Sequence, residues 1–100
     1  MTAITTSCTF DLVYDSIGFS KYYTLIIQTP ATADATNTIV FSLLKYGTVV
    51  GGTGFDVTNG AIEALGIALS GYNWTITVGT GDNAIRSYVL TMLRPDNDEK

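Results

Sequence analysis

Short runs that alternate in side-chain character, each closed by glycine, proline, aspartate or asparagine, constrain this chain more than any other feature. Tyr88, Leu90 and Met92 alternate with Val89, Thr91 and Leu93, and the residues from Asn73 to Val78 alternate in kind. That period of two is the pattern of a β-strand, whose successive side chains point to opposite faces. The segment Gly79–Asn83 between these two runs consists largely of residues that tolerate left-handed backbone angles, so the pair reads as a closing hairpin. Earlier in the chain, Ile4, Cys8, Phe10, Leu12 and Tyr14 all fall on even positions, which predicts a long first strand. Lys21–Gln28 predicts a second, with Tyr23, Leu25 and Ile27 on one face and Pro30 ending it.

The middle of the chain is less regular. Thr38–Tyr46 is apolar on both faces, which predicts a strand that is central or lies under a partner. Thr48–Val50 reads as a short strand, Gly51–Gly54 as a flexible stretch, and Asn59-Gly60 as a turn. From Ala61 to Leu69 helical and strand spacings compete. Gly66 weakens the helical one by about 1 kcal/mol relative to alanine, so a strand is expected from about Leu65, preceded by one helical turn. Seven or so short strands with no long amphipathic helix predict an all-β, antiparallel β-sandwich over residues 1–94. Residues 95–100 form a polar C-terminal tail behind Pro95.

Composition narrows the function classes. One hundred residues suffice for one domain and one core. A net charge of −4 with five scattered basic residues offers no stripe to neutralise phosphates, so no nucleic-acid partner is expected. No run approaches a membrane span, and the first ten residues lack the basic and apolar regions of a secretory signal, so synthesis in a cytoplasm is expected.

Histidine is missing and Cys8 is the only cysteine, which excludes a disulfide within the chain, Ser-His-Asp or Cys-His catalysis, and the ordinary zinc sites. Cys8 reads as a small hydrophobe on the apolar face of the first strand. Asp11 and Asp15 would stand about 13 Å apart on a strand, too far for a glycosidase pair. Gly51-Gly-Thr-Gly54 lacks the following Lys-Ser/Thr of a phosphate loop. The acids Asp96, Asp98 and Glu99 do not supply the six to eight converging oxygens that calcium takes. No catalytic residue, cofactor or metal ligand is therefore expected.

The order of motifs from residue 17 to 94 resembles that of the cadherin-like β-sandwich, a family of immunoglobulin-like modules. Phe19-Ser20 stands before Tyr22-Tyr23-Thr24-Leu25, and Leu69-Ser70-Gly71-Tyr72-Asn73 before Ile76-Thr77-Val78. Asp82-Asn83 takes the place of the family's acidic/glycine turn, and Tyr88-Val89-Leu90-Thr91 with Arg94 that of its closing strand. The resemblance implies a single immunoglobulin-like antiparallel β-sandwich, an extracellular or particle-surface habit, and no catalytic residues.

Thr occupies sixteen positions and charged residues only 14% of the chain, a surface suited to assemblies. Virion proteins are made in a cytoplasm and end outside it. The leading expectation is accordingly a non-enzymatic structural protein of a bacteriophage virion, a capsid decoration or small tail component, in repeated copies against other virion proteins. The alternative is a cell-surface or secreted module that binds carbohydrate or a protein receptor. Candidate interface residues are Val40, Leu44 and Tyr46 on the two-faced segment, and Tyr22 and Tyr72 as aromatics for a partner or a glycan. Trp74 reads as an anchor between sheets.

Overall fold

A computed structural model describes residues 3–14, 21–79 and 81–95. Among the described residues eight strands form two antiparallel sheets facing each other. They are β1 (Thr9–Val13), β2 (Tyr22–Gln28), β3 (Thr38–Ser42), β4 (Thr48–Asp56), β5 (Ala61–Glu63), β6 (Gly66–Ser70), β7 (Asn73–Thr77) and β8 (Arg86–Leu93). The larger sheet runs in the order β1-β2-β8-β4-β5 and the smaller in the order β3-β7-β6. A single helical turn, α1 (Leu43–Tyr46), joins β3 to β4. This is the all-β sandwich that the alternation predicts.

The core lies between the sheets and follows directly from period two. Tyr23, Leu25 and Ile27 of β2 and Tyr88, Leu90 and Met92 of β8 face Ile39 and Phe41 of β3 and Ile76 and Val78 at the end of β7, all of them buried. Fully burying each such side chain contributes on the order of 1.5–3 kcal/mol.

Five local expectations are corrected. The first strand begins only at Thr9, because Thr5–Ser7 forms a 3-10 turn. There the Ile4 amide donates to the Thr38 carbonyl at 2.8 Å, and Thr5 Oγ1 accepts the Val40 amide at 2.8 Å. The chain serves the edge of the smaller sheet first and must turn to reach the larger. Likewise Thr38–Tyr46 is not one strand. Ser42 caps α1 by accepting the Leu44 amide, and the turn carries the chain between the sheets.

Gly51–Gly54 is no flexible stretch but the middle of β4, with a bulge between Val49 and Gly51. A Cβ at Gly52 would stand 2.7 Å from Leu90 Cδ2, and one at Gly54 2.9 Å from Tyr88 Cε1. These glycines make room for the side chains of β8. Ala61–Glu63 is a strand paired with β4 through the turn at Gly60 (φ +70°), not a helical turn. Finally, β7 and β8 are not a hairpin: β7 pairs with β3 and β6, β8 with β2 and β4. The left-handed residues Gly81 (φ +97°) and Asn83 (φ +52°) serve a crossing between sheets. That crossing is held by the Val78 amide on Asn37 O and the Ala84 amide on Ala33 O.

The immunoglobulin constant order leaves the last strand at an edge of the smaller sheet, whereas β8 lies inside the larger one. The Asp15–Ser20 connection, with Asp15 and the Phe19-Ser20 motif, and the acids Asp96, Asp98 and Glu99 fall outside the described residues.

Candidate interaction surface

Antiparallel registers give the sandwich two ends. Gln28–Asn37, Asp56–Ala61, Val78-Gly79 and Gly81–Ile85 make one of them. Its centre is closed by a buried ion pair. Arg86 Nε donates to Glu63 Oε1 at 3.1 Å, with side-chain exposures of 0% and 9%. Tyr88 Oη donates to Glu63 Oε2 at 2.6 Å, and the Gly79 amide to the same oxygen at 3.1 Å. The rest of the guanidinium donates to the carbonyls of Ala33 and Gly81, each at 2.9 Å. Burial, then the bond to Glu63 and its charge, push the Tyr88 phenol well above its ordinary range. Both carboxylate oxygens are engaged within the protein, so this group is built to hold the crossover segment onto β5 and β8.

Sequence reasoning passed over this pair. The signal was parity: Arg86, Tyr88, Leu90 and Met92 share a face, so a charge stood on the core side of β8 and required a buried partner.

At the opposite end meet Val13-Tyr14, Lys21-Tyr22, Leu43–Gly47, Gly71-Tyr72 and Leu93–Pro95. The Leu43 amide donates to Tyr72 O at 2.7 Å, tying α1 to the β6–β7 turn. Trp74 Nε1 donates to Gly47 O at 3.1 Å and Tyr23 Oη to Tyr46 O at 2.6 Å, tying α1 to both sheets. Tyr46 stacks on Phe10 with ring centroids 5.5 Å apart. The Arg94 guanidinium lies 4.7 Å over Tyr14, whose ring is 5.1 Å from that of Tyr23. The end is therefore a fixed aromatic and aliphatic platform.

Four of the five candidates from the sequence stand here. Leu44 is 67% exposed and Tyr72 65%, Tyr22 is 45% exposed on the outer face of β2 beside Val13 and Tyr14, and Tyr46 is half-buried. Leu43, Leu44, Gly47, Thr48, Leu93 and Arg94 line a cleft of about 230 Å³. Val40 stands apart, half-buried on the outer face of the smaller sheet. Among the described residues, Lys21, Lys45 and Arg94 belong to this end, and Asp34, Asp56, Glu63, Asp82 and the buried Arg86 to the other.

The remaining candidates are structural. Trp74 is half-buried against the core, as an anchor would be. Cys8 donates its thiol to Ile4 O at 3.3 Å, and burial pushes that thiol up to about 11. Among the described residues no three acids or thiols converge as a metal site requires.

Comparison with protein-family models, curated proteins and solved structures finds no match to this chain.

Proposed function

We propose that this protein is a non-enzymatic structural component of a bacteriophage particle, a capsid decoration protein or a small tail component, and that it docks through the platform end of its sandwich. The observation carrying this reading is that Leu44 and Tyr72 are exposed where α1 meets the β6–β7 turn, on a backbone held by Trp74 and Tyr23, with exposed Tyr22 on the outer face of β2 at the same end. Rigid aromatic and aliphatic side chains over a fixed base are what protein interfaces use as anchors, at about 800 Å² per partner. The low charge and high threonine content suit repeated contacts in an assembly, where avidity multiplies modest affinities. The two-layer antiparallel sandwich agrees with the resemblance at the level of fold class, while the internal place of β8 departs from the immunoglobulin order, so the particle-surface habit rests on the sequence motifs alone. Purified particles from the source culture, banded on a density gradient and analysed by mass spectrometry, test the reading. Enrichment in the band is the expected result, and its absence there defeats it.

One observation favours a second reading, a cell-surface module for glycan. Tyr14, Tyr22 and Tyr23, with Val13, Thr24 and Thr91, line a shallow cleft of about 240 Å³. Flat rings with adjacent hydroxyls suit a sugar face. A glycan array that retains the wild type and loses Tyr22→Ala would support it.

A further inference from the structure

Each sheet has two outer strands, and three of these four edges are guarded. β3 is covered by the N-terminal segment through the Ile4–Thr38 and Thr5–Val40 hydrogen bonds. β5 has three residues and turns the charged Glu63 inward. β1 carries Asp11 at its centre, so pairing it with its own copy would set two carboxylates opposite each other. Such devices are how proteins keep sheet edges from joining.

β6 has none of them. Gly66-Ile67-Ala68-Leu69-Ser70 is uncharged, lacks proline, runs in unbroken register with β7, and pairs with no other described strand. We infer that β6 joins the β6 of a second copy, antiparallel about a two-fold axis at Ala68, making one six-stranded sheet from two three-stranded ones.

The strand is a palindrome of side-chain size, which is what an isologous contact needs. Around that axis Ala68 meets Ala68 of the other copy, Ile67 meets its Leu69, and Gly66 its Ser70. Ala68 shares the outer face with Thr75, so two methyl groups meet there without a clash. Ile67 and Leu69 share the inner face with Ile76 and Trp74, yet Leu69 is 47% exposed because its sheet ends beside it. The second copy's Ile67 covers it and continues the core across the junction.

The hydrogen-bond phase agrees. In the two-residue turn Gly71-Tyr72, where Gly71 has φ +62°, Ser70 and Asn73 face each other as a bonded pair. Alternation from that pair turns the backbone groups of Ala68 toward β7 and those of Ile67 and Leu69 toward the open side. Ile67 and the partner copy's Leu69 can then exchange both bonds, twice over by symmetry. The inference does not depend on the particle reading, since it concerns the purified chain alone.

The test is sedimentation equilibrium of the full chain up to roughly 1 mM, with Ala68→Lys and Ala68→Glu as exposed variants that leave the core untouched. The wild type is expected to dimerise. Each variant, folded by circular dichroism, should dimerise more weakly by roughly fivefold or more, because like charges then stand directly opposite. An equimolar mixture of the two should recover association, which separates an interface effect from a folding defect. Hydrogen exchange at rising concentration should slow for the Ile67 and Leu69 amides and not for Ala68. A wild type that stays monomeric, variants that dimerise as well as it does, or a mixture no tighter than its components would overturn the inference.

Discussion

Glu63 and Arg86, twenty-three residues apart in sequence, meet at 3.1 Å on the inner face of the larger sheet, with only β4 between their strands. The strand between them presents Gly54, opposite Tyr88 on one side and Glu63 on the other. Tyr88 reaches over that glycine to the carboxylate. One charge pair and one missing side chain thus fix how β5, β4 and β8 close the end away from the platform.

Removing one partner should expose the dependence. Glu63→Ala takes the ion-paired carboxylate from the buried Arg86 guanidinium and is expected to cost about 3–5 kcal/mol in urea unfolding. Asp11→Ala, exposed on β1, should stay within about 0.5 kcal/mol. The double variant Glu63→Leu/Arg86→Met should lose less than Glu63→Ala, because neither charge is then stranded.

Gly54→Ala should destabilise by about 1–3 kcal/mol, since its Cβ would meet Tyr88 Cε1 at 2.9 Å and the Glu63 carbonyl at 3.0 Å. Gly51→Ala, with nothing within 4 Å, should be neutral or slightly stabilising. Equal thermal shifts for the two would contradict the packing role assigned to the β4 glycines.

How much of this was legible in the sequence depends on the distance over which its cause acts. β2 was legible because Tyr23, Leu25 and Ile27 repeat within one uninterrupted run, and β8 because Tyr88, Leu90 and Met92 do the same. The β4 glycines were misread as slack, since the reason for them is the bulk of Leu90 and Tyr88 on a strand some thirty-five residues away. Gly79–Asn83 announced left-handed backbone correctly, yet a turn's local chemistry does not say whether the next strand pairs with the last or crosses to the other sheet. At the platform, Tyr22, Leu44, Tyr46 and Tyr72 could each be named, but what unites them is topology. The Leu43 amide on Tyr72 O and the Tyr23 hydroxyl on Tyr46 O close contacts that no local window contains.

Alkali should unfold the protein earlier than its carboxylates would suggest. Burial, with the neighbouring Tyr14 and Tyr46, pushes the Tyr23 phenol up to about 12 against the lowering effect of Arg94, and Tyr88 is raised as well. The unfolded chain therefore releases these protons first, near pH 10. Their stabilising contribution is complete below that pH and is lost as pH rises through the folded values. Urea midpoints should fall from pH 9 upward, and Tyr23→Phe should flatten part of that fall. An unchanged slope in this variant would remove Tyr23 from the account.

The thiol of Cys8 should be inert in the native state. Held up to about 11 from an ordinary 9.0, it should react with iodoacetamide at pH 8 roughly a hundredfold more slowly than in the urea-unfolded chain. Comparable rates would mean that the segment before β1 opens readily.

The platform is the centre of the functional account, and its most direct test is density-gradient sedimentation of particles with tagged wild type and with Leu44→Asp/Tyr72→Ser. Both substituted residues are exposed, so the variant should fold and its melting temperature should confirm that. The account predicts that the wild type bands with the particles in repeated copies while the variant stays at the top of the gradient. A wild type missing from the particle band, or a folded variant that bands as well as the wild type, would contradict it.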